Sequence, residues 1–391
     1  MKLEKTGTKT VSSGEKPKTL KDSLNKWELA HKFGTIYGVE EAAAMMEVLL
    51  NWAPTNREKT REFEKKFAEF VGAKHALAVN SCASALHLAA IAIGIKPGDE
   101  VIVPTLTFYA SANPFVFQGA KIVFAESDRR TFNLDPSRLE EKVTPRTKAI
   151  VSVSLCGEPC DMDSIMEIAD KHDLFVIDDA ARAIGAEYKG RKVGSLGDIT
   201  AFSFQQTKNI STLGEGGMAT TDNDKYAELM ELYRSNGSGV YPGLNYRMTD
   251  VQAAVGIEQL KKLQRHNDIR RELAHYLTRK LRKIDGVVPP YETPNMRHVY
   301  YLYMILIEPE KIGMNRDVFM KKLLDEKGIA CNIQEMVHEC EAYRKLGYKE
   351  GECPVTEGFG KRLVILPLCP RYTFNDMDYV AQAIEEMVKK S

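Results

Sequence analysis

Ser203-Phe204-Gln205-Gln206-Thr207-Lys208-Asn209 runs toward Leu213-Gly214-Glu215-Gly216-Gly217, and Asp178-Asp179-Ala180-Ala181 lies upstream. A lysine, a serine, an aspartate and a glycine run in this arrangement suit a covalent cofactor site. The amine can form a Schiff base with an aldehyde, a hydroxyl and backbone amides can hold a phosphate, and a carboxylate can face a ring nitrogen. Those are the needs of pyridoxal 5'-phosphate (PLP). Asp179 is the candidate for keeping the pyridine protonated, so that the ring accepts electrons when a bond to the substrate carbon breaks.

Length and composition bound what such a site could belong to. With 391 residues, 43% of them hydrophobic, the chain can bury a sizeable core. We expect a flexible polar tail over residues 1–30, a large cofactor-binding domain over 31–250 and a small C-terminal domain over 251–391. Lysine plus arginine number 54, as do aspartate plus glutamate, so no global field favours DNA, RNA or an anionic membrane. A small-molecule enzyme fits that balance better, and no short segment reads as a helix-turn-helix. The lysine-rich tail has no apolar run long enough for a signal peptide or a membrane span, which predicts a cytoplasmic protein. Seven cysteines, an odd number, read as free thiols in a reducing compartment. Cys156 and Cys160 lack a partner pair or a histidine at zinc-finger spacing, so no metal is expected.

The elements that must position these residues follow from periodicity. Helical patterns over Gly38 to Trp52, Thr60 to Val71 and Ala83 to Ile93 alternate with short apolar strands at Ala76 to Val79 and Glu100 to Val103. Further strands are expected at Lys121 to Phe124, Ala149 to Val153 and Leu174 to Ile177, with a helix from about Asp161 or Asp163 to His172. Asp135-Pro136 reads as a helix start. The alternation implies a parallel sheet, with Asp179 at the carboxyl end of a strand, where open α/β sheets bind ligands. Beyond Asp222 the pattern lengthens. A helix capped by Thr249 or Asp250 runs, with a break, to about Ile284, followed by an aromatic-rich strand over His298 to Ile307. Helices at Arg316 to Lys327 and Phe374 to Lys389 complete the chain.

Six stretches in a fixed order carry a resemblance. They are Asn80-Ser81-Cys82-Ala83-Ser84-Ala85-Leu86-His87, Pro97-Gly98-Asp99-Glu100-Val101-Ile102-Val103-Pro104, Thr107-Phe108-Tyr109-Ala110-Ser111-Ala112-Asn113, the run from Tyr188 to Asp198, the lysine segment, and Gly243-Leu244-Asn245-Tyr246-Arg247-Met248. With these the sequence resembles the DegT/DnrJ/EryC1/StrS family of sugar aminotransferases over most of its length. The resemblance implies an α/β fold of the fold-type-I PLP transferases. Such a fold has a large domain with a mostly parallel seven-stranded sheet between helices, and a smaller C-terminal α+β domain.

Residue by residue, the resemblance implies that Lys208 bonds the cofactor and moves a proton, while Asp179 pairs with the pyridine nitrogen. The amides of Cys82 and Ala83, at the start of a helix, would bind the phosphate, with the Ser203 hydroxyl beside them. The family often has threonine at the position of Ala83, so a side-chain contact is missing here. Cys82 reads as a packing residue, since no general base is identifiable next to it. Phe108 resembles the aromatic that stacks on the cofactor ring, the competing reading being an ordinary core phenylalanine. Asn245 matches a residue that reaches the phosphate of the neighbouring subunit, which implies a homodimer with shared active sites. Arg247 in the same motif would order that loop or contact a substrate anion. Arg182 is a departure, because the family usually has glutamine or histidine three residues after the pyridine aspartate. A guanidinium there could bind a carboxylate or diphosphate in two-point fashion, or pair with a structural acid.

The expected reaction is ping-pong transamination from an amino acid, glutamate by resemblance, through pyridoxamine phosphate to a nucleotide-linked keto-sugar, with Lys208 as acid and base. Relatives with histidine in place of the lysine dehydrate the sugar, so retention of Lys208 points to transamination. Two alternatives stand beside this reading: another fold-type-I PLP reaction, and a non-enzymatic regulator or scaffold that keeps the fold. The loop from Ser235 to Gly243 and the segment from Ile329 to Tyr343 depart from the family pattern and could line the acceptor pocket.

Overall fold

Short runs of valine, isoleucine and alanine, bounded by glycine and polar turns, form the strands that carry the site. The computed structural model describes residues 35–389 except 52, 53 and 56, so the expected polar tail lies outside the described residues. In chain order the strands are β1 (His75–Val79), β2 (Glu100–Pro104), β3 (Lys121–Ala125), β4 (Thr147–Val153), β5 (Phe175–Asp179), β6 (Glu187–Tyr188), β7 (Arg191–Lys192), β8 (Ile199–Ser203) and β9 (Gly217–Thr221). Seven of them form one sheet in the order β1-β9-β8-β5-β4-β2-β3. Only β9 runs against its neighbours, and the pairs β8/β5, β5/β4, β4/β2 and β2/β3 are parallel. The expected mostly parallel seven-stranded sheet is therefore present. The carboxyl ends of β1, β4, β5 and β8 consequently lie along one edge, and residues there line the cavity described below.

Apolar side chains fill both faces of this sheet. Phe63, Phe67, Phe202, Phe204 and Ile257 pack on one side, and Leu86, Val103, Phe115 and Ile177 on the other. The helix Cys82–Ala92 is buried almost all round. Its alanines let it lie close between the sheet and the helix Asp224–Arg234.

Thr249 opens a helix of 32 residues, Asp250–Leu281, with a capping box to Gln252. Asp250 at its first turn also accepts from Thr60 N and Thr60 Oγ1, at 2.9 and 2.6 Å, and so ties down the start of the helix Glu58–Val71. The expected break is absent. Ala253, Ile257 and Leu263 belong to the large sheet's core, whereas Leu273, Leu277 and Leu281 face a second core with Ile305, Phe319, Leu366 and Ile384. That core covers a three-stranded sheet of β10 (Val287–Val288), β12 (Tyr303–Ile307) and β13 (Leu363–Leu366) in the order β10-β12-β13. A small sheet of β11 (Met296–Arg297), β6 and β7 joins residue 296 to Tyr188.

Two local expectations need correction. Asp135-Pro136 begins only a single 3-10 turn, Pro136–Arg138, because Asp135 spends its carboxylate on Ser137 N and the chain turns again at once. The aromatic strand starts at Tyr303, not at His298. Before it the backbone makes a turn with Tyr300 at φ 47°, the left-handed region that side chains other than glycine rarely enter.

Candidate active site

The candidate phosphate cradle arises where β1 ends. Ser81 caps the helix Cys82–Ala92, its Oγ accepting from Ser84 N at 3.1 Å. This leaves the amides of Cys82 and Ala83 in the first turn, where a helix has no internal acceptor, and both residues line a cavity of about 470 Å³. Gly217, the first residue of β9, lies against this turn. A Cβ there would meet Ser81 C at 2.5 Å and Cys82 N at 2.6 Å, so any side chain would push the cradle out of place. Ser203, at the end of β8, lines the same cavity.

Asp179, the last residue of β5, is 5% exposed and also lines the cavity. Its Oδ2 accepts from Ser111 Oγ at 2.6 Å and its Oδ1 from Ala181 N at 3.1 Å. Ser111 in turn lies 2.8 Å from Thr107 Oγ1. Two donors on fixed elements hold the carboxylate in one orientation. Sequence reasoning missed Ser111 as a site residue, although it sits in the quoted stretch around Phe108. The Cys82 thiol lies 3.9 Å from Asp179 Oδ1. Burial, followed by the charge of Asp179, raises its pKa well above the ordinary thiol value, so it stays protonated and is no nucleophile.

Lys208 follows a turn closed by its own N–H to Gln205 O at 2.9 Å, and Thr35 Oγ1 donates to its carbonyl at 2.9 Å. Among the described residues no carboxylate lies within ion-pair distance of its ammonium. Its side-chain partner is Tyr301, whose hydroxyl accepts from Nζ at 3.5 Å and also lies 3.1 Å from Thr207 Oγ1. Burial drives the Tyr301 phenol up, but the charges of Lys208 and Arg182 and hydrogen bonds with Thr207 and Lys208 outweigh it, and its pKa falls to about 8. Tyr301 was invisible to sequence reasoning. It stood within an expected strand, and no spacing links it to Lys208.

Arg182 faces the same cavity, and among the described residues it pairs with no acid. Its Nη1 donates to Gln334 Oε1 at 2.8 Å and weakly to Leu155 O at 3.4 Å, both neutral acceptors. Gln334 is fixed in turn by donating to Thr107 O at 2.8 Å. Among the described residues no structural ion pair forms at Arg182, and its guanidinium lies at the cavity wall. Phe108 is 48% exposed, outside the core of this chain, and lines the cavity. Asn245 and Arg247 do not line the cavity of their own chain. Asn245 is exposed, bridges Ser235 and accepts Asn80 Nδ2 at its carbonyl, while Arg247 bridges Val79. The departing segment around Ile329 to Tyr343 reaches the site through Gln334. Among the described residues no cluster of His, Cys, Asp and Glu could hold a metal, and all seven cysteines are free.

The residues fit PLP: first-turn amides kept clear by Gly217 for an anion, a fixed buried carboxylate, a lysine amine and an aromatic face around one cavity. Fold and site together define a fold-type-I PLP-dependent aminotransferase. The chain belongs to the DegT/DnrJ/EryC1/StrS aminotransferase family, whose model matches residues 36–385. It is 42% identical to the spore coat polysaccharide biosynthesis protein SpsC of Bacillus subtilis over 373 residues, 90% of this chain and 96% of that one. It is also 43% identical to the GDP-perosamine synthase of Caulobacter vibrioides over 338 residues, 84% and 89% of the two chains. Among solved structures, Spr1654 of Streptococcus pneumoniae in its PLP-form matches with a TM-score of 0.86 and 26% identity, covering 92% of this chain and 98% of that one.

Proposed function

We propose that the protein transfers an amino group from an amino acid, glutamate in the first instance, to the keto group of a nucleotide-linked sugar. One observation carries the reading: Lys208, Asp179 and the Cys82–Ala83 turn line one cavity with the guanidinium of Arg182, which has no ion-pair partner among the described residues. Both substrates of such a reaction are anions, and a similar protein is named for a GDP-linked amino sugar. When bound, PLP supplies the electron sink for the carbanion formed beside the substrate nitrogen. Lys208 Nζ carries the covalent attachment and, once released, moves a proton on and off the substrate carbon. Asp179, held by Ser111 and Ala181 N, offers a fixed negative charge to a protonated ring nitrogen. The Cys82 and Ala83 amides and Ser203 hold the phosphate, and Phe108 covers a ring face. Arg182 receives a carboxylate or diphosphate through its remaining N–H groups.

The protein works as a homodimer in this reading, with Asn245 of one chain completing the phosphate site of the other. The exposed apolar side chains Val240, Tyr241 and Leu244 next to Asn245 suit such an interface. Its free thiols, and the absence among the described residues of a helix long and apolar enough to cross a membrane, suit work in the cytoplasm.

The test is the purified protein's visible absorbance. It should show the band of lysine-bound cofactor, glutamate should bleach it, and a nucleotide keto-sugar should restore it. A protein that stays colourless with added PLP would instead favour the regulator or scaffold reading, and a coloured protein indifferent to all amino donors another PLP reaction.

A further inference from the structure

Tyr301 lies far along the chain from Lys208, yet the structure spends several unusual contacts on bringing it there. Val299 N donates to Gly157 O at 2.9 Å and Leu302 N to Cys156 O at 3.1 Å, so the two residues flanking Tyr300 and Tyr301 are clamped to the loop after β4. Gly157, at φ 101°, allows this approach. A Cβ there would lie 2.9 Å from Arg182 O and 3.0 Å from Tyr301 N. Between the clamps Tyr300 takes its left-handed conformation, at a cost of order 1–3 kcal/mol. It is 2% exposed and held by a buried network. Its ring stacks on His298 with centroids 3.9 Å apart, its N–H donates to His298 Nδ1 at 2.8 Å, and its hydroxyl donates to Glu292 Oε2 at 3.1 Å. The network holds that strain in place, and the next residue, Tyr301, meets the cavity lysine.

We propose that Tyr301 is a positioning residue for the Lys208 amine, holding Nζ between the phenol oxygen and the ring whenever that amine is released from covalent use. Nζ lies 3.5 Å from the phenol oxygen and 4.6 Å from the ring centroid, so both hydrogen bond and cation-π attraction act on the same amine. Thr207, next to Lys208 in sequence, steadies the hydroxyl from the other side. The charges that act most strongly on the Tyr301 phenol are those of Lys208 and of Arg182, whose Cζ lies 5.5 Å from the ring; Arg270 of the long helix also interacts with it, and the carboxylates of Asp179 and Glu215 line the same cavity. The Lys208 and Arg182 charges, with hydrogen bonds from Thr207 and Lys208, hold the phenol below the ordinary tyrosine range.

This inference rests on the function proposed above for Lys208, and its test separates the two. In the full chain stripped of cofactor, ultraviolet difference absorbance should show one tyrosine ionising at about 8. Tyr301→Phe should abolish that step, and Lys208→Met should move it upward. In the cofactor-loaded enzyme, Tyr301→Phe should lower kcat roughly 10²-fold with KM for the amino donor changed less than about twofold. It should also remove the alkaline limb that ionisation of Tyr301 imposes on the kcat profile. No ionisation below the ordinary tyrosine range, a step that survives Tyr301→Phe or ignores Lys208→Met, or a Tyr301→Phe enzyme with wild-type kcat would each overturn the positioning role. A protein that shows the coupled titration yet fails to transaminate would overturn the proposed function and leave the pairing intact.

Discussion

The floor of the cavity and its wall are built on opposite plans. The floor consists of Cys82, Ala83, Asp179 and Ser203, each at the end of a strand of one sheet or the start of the helix after it. Its partners are local or lie on neighbouring elements of the same layer: Ser81 with Ser84, Asp179 with Ala181 and Ser111. The wall consists of Arg182, Gln334 and Tyr301, whose contacts cross from the large sheet to the C-terminal part of the chain. A floor set by strand ends can be shared by many reactions that use the same cofactor. A wall made by distant segments can change with the substrate while the floor stays put.

Substitutions on the two sides should therefore differ in kind as well as size. The largest effect belongs to Lys208, which stands between floor and wall: Lys208→Ala should cost roughly 10⁴-fold in turnover and abolish the visible band, read by stopped assays and absorbance. Asp179→Asn follows, with a loss of roughly 10²- to 10³-fold in kcat, since it removes the fixed charge proposed to face the ring nitrogen. A near-wild-type Asp179→Asn enzyme would break the assignment of the floor. Gly217→Ala should destabilise the holoenzyme by about 1–3 kcal/mol, because the added methyl must displace the Ser81–Cys82 peptide, and should weaken PLP retention on dialysis. On the wall, Arg182→Gln should raise KM for the donor or the acceptor about tenfold with the absorbance band intact. Unchanged KM for both substrates would remove Arg182 from substrate binding.

The smallest effect is a pH dependence of the wall's support. His298 is buried and its pKa is depressed to about 3 by that burial, outweighing the attraction of Glu292. Burial opposes the charge of Glu292, but hydrogen bonds from His275 and Arg271 hold its carboxyl down at about 2. Both folded values lie below the unfolded ones, so the unfolded chain takes up protons first as pH falls. The stabilisation is present above the unfolded values and is lost on acidification, from about 6.5 toward 3 for His298 and from about 4.5 toward 2 for Glu292. Melting curves between pH 7 and 4 should show this decline, and His298→Asn should flatten it.

The lysine segment, the aspartate at a strand end and the strand-to-helix turn at Cys82 were legible because each depends on residue types at fixed short spacing. The helix Arg316–Lys327 and the N-cap at Thr249 were legible for the same reason. The turn at Tyr300 was not, since aromatic residues in series read as strand and the left-handed backbone is imposed by His298, Glu292 and the loop at Gly157. Ser111 lay inside a quoted stretch, but its bond to Asp179 depends on how β5 and the turn after β2 come together.

By itself the sequence determined the cofactor chemistry and the sheet that carries it, because strand periodicity, capping residues and glycine turns act over a few residues. Only the tertiary structure decided that Arg182 meets Gln334, and that Tyr301 meets Lys208. Those contacts join segments with no shared local pattern. They are fixed by the packing of the long helix and two cores, which no spacing along the chain encodes.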